Sequence, residues 1–204
     1  MSAVVLIVTG IPGSGKTSIL DEALKLSSAF TVVNYGEKML HEAALQDIER
    51  DRLRKLPIAK QQEISLAAAG KIAKEAEGVV IVDTHALIKT PFGYCPGIPQ
   101  NILRILDPRA LIAIESAPSS IHARRALDKA RNRDNETIEE IESHQLLNRK
   151  FLAASSAICG SLLTFIQNTD KQLAVAVNTL LDLIKNERSL QIQESIIMNQ
   201  QLQP

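Results

Sequence analysis

The sequence predicts an α/β protein whose parallel sheet is covered by helices on both faces, and three observations carry that expectation. Apolar runs recur at Val4 to Thr9, Phe30 to Asn34, Val79 to Asp83, Leu111 to Glu115 and Leu162 to Gln167, with helical patterns between them. Alternation of strand and helix is what builds a parallel sheet. The runs are continuously apolar rather than alternating, as strands buried on both faces must be. The first run also leads directly into Gly10-Ile11-Pro12-Gly13-Ser14-Gly15-Lys16-Thr17, the spacing G-x-x-x-x-G-K-[ST] set between a strand and a helix.

Each element has its own local reason. A first helix opens at about Lys16 and carries Ile19, Leu20, Ala23 and Leu24. Between Asn34 and Ala76 lies a helical insertion, larger than a crossover needs, with Gly36, Met39, Arg50, Asp51, Arg52, Arg54 and Lys55. Pro57 suits the first turn of a helix running to about Ala76 and ending at Gly78 in C-cap fashion. After Asp83, the segment through Thr84, His85, Lys89, Thr90, Pro91, Phe92, Gly93 and Tyr94 reads as a long irregular stretch, at the carboxyl end of a strand where ligands bind. Thr137 and Glu140 form a capping box for a helix presenting Leu147, Phe151, Ala154 and Ile158 on one face. A last helix from about Lys171 carries Leu173, Val177, Leu180, Leu181 and Ile184. From Arg188 the composition changes to five glutamines and one acidic side chain. That segment is either a helical extension or a tail ordered by a partner subunit.

At 204 residues the chain suits one domain with excursions: 1–187, with the insertion at about 35–76 and a short arginine-rich segment at about 124–137, then a tail at 188–204. The 23 basic and 23 acidic residues cancel, so no bulk field draws the chain to nucleic acid or to a membrane surface. Aromatics are 3%, without the aromatic–basic interleaving that stacks bases. Cys95 and Cys159 are far apart, which argues for reduced thiols rather than a zinc site or a disulfide framework. No apolar run has the length of a membrane span, and a cytoplasmic location is expected.

The glycine loop implies a nucleoside triphosphate. Its backbone N–H groups can turn toward phosphates, Lys16 adds a charge for the β and γ phosphates, and the Thr17 hydroxyl suits Mg²⁺. Asp83 closes the run Val79 to Val82, where a carboxylate would hold the same ion through its water shell; it is also open to reading as a turn residue. Arg124, Arg125, Lys129, Arg131 and Arg133 outnumber Asp128 and Asp134 between Ile121 and Asp134. Arginine forks suit phosphate oxygens, and Arg149 could reach the same place from the following helix. His85 alone reads equally well as a structural histidine.

Together these residues resemble the archaeal type of adenylate kinase, a branch of the nucleoside monophosphate kinases. The likeness covers nearly all of Ala3 to Lys185: Val8 to Thr17, Asn34-Tyr35-Gly36 with Met39, Arg50 to Leu56, Asp83-Thr84-His85, Lys89 to Tyr94 and Arg131 to Asp134. It implies a P-loop fold of three layers on a five-stranded parallel core, with an AMP-closing excursion and a short lid. The reaction implied is ATP + AMP ⇌ 2 ADP with Mg²⁺. Lys16, Arg124, Arg131, Arg133 and Arg149 would then be catalytic, Gly10 to Thr17 would bind ATP, and Gly36, Arg54, His85 and Thr90 would face AMP. Thr17 and Asp83 would serve Mg²⁺, no zinc is expected in the lid, and a homotrimer is implied. A P-loop kinase for another small acceptor, or an ATP-dependent assembly factor for a protein or RNA, are the competing readings.

Overall fold

The computed structural model describes residues 3–46, 48, 56–90, 92–127 and 136–201, with the backbone alone at 195, 196 and 198–201. Arg54, Arg131 and Arg133 lie outside the described residues. Strand β1 (Val4–Thr9) is buried along its whole length, and helix α1 begins at Lys16 and runs to Leu26. Strand β2 (Thr31–Asn34) passes into α2 (Tyr35–Ala44), and α3 (Ile58–Glu75) returns the chain to β3 (Val79–Asp83). The described residues of the insertion between the second and third strands are therefore mostly helical, as its composition suggests. A hairpin of β4 (Leu87–Thr90) and β5 (Gly93–Pro96) follows, then α4 (Gln100–Leu106), β6 (Ala110–Glu115) and α5 (Pro118–Leu127). Helix α6 (Ile138–Cys159), β7 (Leu162–Gln167) and α7 (Leu173–Gln201) complete the order.

The main sheet has five strands in the order β2-β3-β1-β6-β7, all parallel. Side chains alternate across it into two cores. Leu6, Val8, Ile81 and Ile112 pack with Ile19 and Ala23 of α1 and Val177, Leu180 and Ile184 of α7. Val5, Ile7, Val80, Val82 and Leu111 pack with Ala68 and Ile72 of α3, Ile102 of α4 and Leu152 of α6. Full burial of each large aliphatic contributes about 1.5–3 kcal/mol, so the sheet's centre is its most strongly held part. The chain leaves β1 toward β2 and β3 and later returns to β6 on the opposite flank. The carboxyl end of β1 is thus the switch point at which open α/β sheets hold ligands.

Three local expectations are revised, and the helical one of the two readings left open for the segment after Arg188 is met. Helix α3 stops at Glu75 on an extended Ala76, and Gly78, at φ +61°, turns the chain into β3 while its carbonyl accepts the Val4 N–H at 2.8 Å. The stretch after Asp83 is not irregular: β4 and β5 pair antiparallel from Leu87↔Pro96 to Thr90↔Gly93. Four-residue strands next to Pro91 and Pro96 look like loop in sequence, since proline belongs at strand ends and edges. Helix α6 buries Ile141, His144, Asn148, Leu152 and Ser155, whereas Leu147 and Ile158 are exposed. Packing of α6 against α4, α5, β6 and β7 goes with that rotation, and the Tyr94 ring of the hairpin lies against His144 at 4.8 Å between centroids. The segment after Arg188 continues α7, tied down where Arg109 meets Glu187 at 3.3 Å and Glu194 at 3.0 Å.

Candidate functional site

The site is built around the turn from β1 into α1. Gly13 and Gly15 hold φ of +91° and +88°, conformations that L side chains rarely adopt. They bend residues 10–15 back over the first turn of α1, where N–H groups without intrahelical partners and the helix dipole favour an anion. Ser14 is fully buried, and its Oγ has no hydrogen-bond partner among the described residues. Lys16 is also buried, and its Nζ donates to Asp83 Oδ1 at the end of β3. Burial pushes the Lys16 ammonium down to about 8. The other Asp83 oxygen accepts from Asn34 Nδ2 at 2.9 Å. Asp83 therefore faces the phosphate loop rather than serving as a turn residue.

Side chains from distant elements hold the loop's outer face. Asn168, just after β7, donates from Nδ2 to the Ser14 carbonyl at 2.8 Å. Arg124 reaches the carbonyls of Gly13 and Ser14 at 3.3 and 3.4 Å and pairs with Asp170 at 2.5 Å. Arg125 Nε donates to the Pro12 carbonyl at 2.8 Å, while its Nη1 donates to Glu136. Lys89 Nζ on β4 donates to the other Glu136 oxygen at 2.5 Å. Desolvation works to raise the Glu136 carboxyl, but hydrogen bonds from Lys89 and Arg125 outweigh it and hold the group below its ordinary value. Across this cluster, burial pushes the His144 imidazole down.

The remaining expected residues fall in three places. His85 lies at the loop, its Nδ1 2.8 Å from the Gly10 carbonyl. Thr90 Oγ1 donates to the Gly93 carbonyl at 3.0 Å and so shapes the hairpin turn, and Gly36 occupies the first turn of α2. Arg149 forms a two-pronged pair with Glu115 at 2.6 and 2.5 Å and lies over the Phe165 ring at 5.6 Å. Its contacts run along the β6–β7 edge. Asn168, Asp170, Glu115 and Glu136 escape sequence reasoning, as does the role of Asn34, which enters there only within the motif Asn34-Tyr35-Gly36. Of these, Asn34 alone carries a local signature, an Asn followed three residues on by Glu37 at a strand-to-helix junction.

The donor set fits a hard divalent cation. Thr17 offers a hydroxyl and Asp83 a carboxylate, oxygen donors of the kind Mg²⁺ takes alongside phosphate and water. A phosphate on the loop would bring negative charge to the buried Lys16 and to the N–H groups of the turn.

A family model described as an AAA domain matches residues 9–142. The chain is 44% identical over 191 residues to the adenylate kinase of Pyrococcus furiosus, covering 90% of this chain and 97% of the relative. It is 41% identical over 187 residues to the adenylate kinase of Methanopyrus kandleri, covering 89% and 98%. Among solved structures, the fold is similar to a shikimate kinase from Bacteroides thetaiotaomicron, with a TM-score of 0.55, 15% identity and coverage of 89% and 98%. A gluconokinase from Sinorhizobium meliloti is similar with a TM-score of 0.51, 14% identity and coverage of 95% and 98%.

Proposed function

We infer the chemistry of this site from one premise: the chain belongs to the adenylate kinase family. It is a nucleoside monophosphate kinase that interconverts ATP and AMP with two ADP. The observation that carries the site's part in this is the buried Lys16–Asp83 pair at the mouth of the glycine loop, with the acceptor-side helix α2 joined to it through Asn34.

ATP seats its β and γ phosphates on residues 10–17, against the loop N–H groups and Lys16, whose ammonium moves from the Asp83 carboxylate to phosphate oxygens. Thr17 and Asp83 would hold Mg²⁺, which when bound neutralises charge shared by the β and γ phosphates. Gly36, Arg54, His85 and Thr90 frame AMP on the other side. An AMP phosphate oxygen attacks the γ phosphorus in line, and the bond from that phosphorus to the β–γ bridging oxygen breaks, leaving ADP on both sides. No general base is needed, because the attacking oxygen is already anionic. Two polyanions approach only where cations are fixed beforehand, and Arg124, Arg131, Arg133 and Arg149 supply them. Exclusion of water keeps it from replacing AMP as acceptor.

The chain works in the cytoplasm as a homotrimer. Supporting self-association, Leu146, Leu147 and Ile158 on α6 and Leu162 and Phe165 on the edge strand β7 are exposed apolar side chains. Sedimentation velocity reads this directly, and a monomer at micromolar concentration overturns it. The reaction is tested by following ADP formation from ATP and Mg²⁺ with AMP, CMP, UMP, GMP or no acceptor. Rapid, reversible ADP formation with AMP is expected; slow ATP loss that ignores every acceptor would overturn the reading.

A further inference from the structure

Asn34 closes β2 and opens α2, and its amide is engaged at both ends. Oδ1 accepts the Glu37 N–H at 3.1 Å and caps α2, while Nδ2 donates to Asp83 Oδ2 at 2.9 Å. The parallel register sets the two residues side by side, Asn34↔Asp83. The second carboxylate oxygen takes Lys16 Nζ, so both oxygens of Asp83 are oriented by different partners. A Cβ at Gly36 would stand 3.3 Å from Asn34 Oδ1, so a larger residue there would crowd the same cap.

Among common side chains at this spacing, a carboxamide uniquely joins a cap acceptor and a carboxylate donor in one rigid plane. Aspartate would keep the cap but set a second negative charge against Asp83. Serine and threonine would keep the cap but lack the second arm.

We propose that Asn34 is a positioning residue that aims the Asp83 carboxylate at the divalent cation of the bound triphosphate and pins the acceptor-side helix α2 to it. Donor and acceptor sites are thereby registered through one amide. The proposal rests on the nucleotide-kinase reading above.

Asn34→Ser and Asn34→Thr separate the two arms, since each retains a capping oxygen. ATP binding is measured by calorimetry in Mg²⁺ and in EDTA, beside thermal melts and steady-state kinetics with AMP. Both variants should melt within about 3 °C of the parent, because the cap survives. They should bind metal-free ATP as the parent does, yet lose about tenfold of the affinity gained on adding Mg²⁺, as loss of a carboxylate's orienting partner does. In the same variants kcat should fall by about 10- to 100-fold with a much smaller change in the KM for AMP. Variants that keep the Mg²⁺-dependent gain and kcat would overturn the proposal and leave Asn34 a helix cap. A parent that makes no ADP from AMP would sink the kinase reading instead, while the ratio of the two ATP affinities would still report on Asn34.

Discussion

Replacing Glu136 by glutamine tests how the arginines beside the phosphate loop are held. The Glu136 side chain is 7% exposed and takes Arg125, itself 9% exposed, on one oxygen and Lys89 on the other. Glutamine preserves the shape but removes the charge and turns an NH₂ toward one of two cations. Removing one partner of a buried pair costs about 3–5 kcal/mol. Lys89 is 32% exposed and can turn to water, so about 2–3 kcal/mol is the expected loss at neutral pH. For a chain of this size that lowers Tm by roughly 4–12 °C. The pH dependence follows from Glu136 being held below its ordinary value of 4.5. A depressed carboxyl contributes its full stability above the unfolded value and loses it as pH falls through the lower folded value. The gap between parent and Glu136→Gln should therefore be constant from pH 8 to 5 and narrow below about 4.5. Melts followed by circular dichroism across that range check both parts. A variant within 1 °C of the parent at pH 7, or a gap that does not narrow in acid, would refute the reasoning.

Three further outcomes are expected. Lys16→Met should abolish phosphoryl transfer while the circular dichroism spectrum stays that of the parent; near-normal turnover would remove the mechanism. Because burial brings Lys16 down to about 8, kcat/KM for ATP should decline as pH rises through that value and the free enzyme loses the ammonium, and Lys16→Arg should move that limb to higher pH. Arg54→Ala should weaken AMP more than ATP, and equal losses in calorimetric titrations would place Arg54 elsewhere.

The parts legible in the sequence are those encoded by neighbours in the chain. The glycine loop, the start of α1 at Lys16 and the capping box at Thr137, where the Glu140 N–H meets Thr137 Oγ1 at 3.2 Å, depend on residues a few positions apart. The five core strands were legible for the same reason, as runs dense in Val, Ile and Leu; β1, β3 and β6 are buried on both faces as such runs suggest, whereas the outer strands β2 and β7 are only partly buried because each has a neighbour on one side alone. What was not legible depends on elements that meet only after folding. Periodicity along α6 favours Leu147, Phe151, Ala154 and Ile158, yet packing buries the adjacent stripe with His144 and Asn148. Asn168 reaches Ser14 across 154 positions of sequence, a separation at which spacing carries no information. Glu136 precedes its capping box by one residue and looks like an ordinary charged surface position until β4 brings Lys89 to it.

Among the described residues, the arginine and lysine side chains that sequence reasoning gathered around the loop are matched to carboxylates: Lys16 to Asp83, Arg124 to Asp170, Arg125 to Glu136 and Arg149 to Glu115. This explains how a chain of zero formal net charge can concentrate cations at one sheet edge. Like charges this close would repel by several kcal/mol in a poorly solvated cleft, and interleaved carboxylates cancel that repulsion while setting each rotamer. The pairs also sort by burial. Asp83 and Glu136 are deep, whereas the Asp170 side chain is 58% exposed. An exposed carboxylate gives up its cation cheaply, since water replaces the contact. Arg124 is accordingly held less firmly by its carboxylate than Arg125, which is locked on Glu136 and the Pro12 carbonyl and keeps the loop in shape.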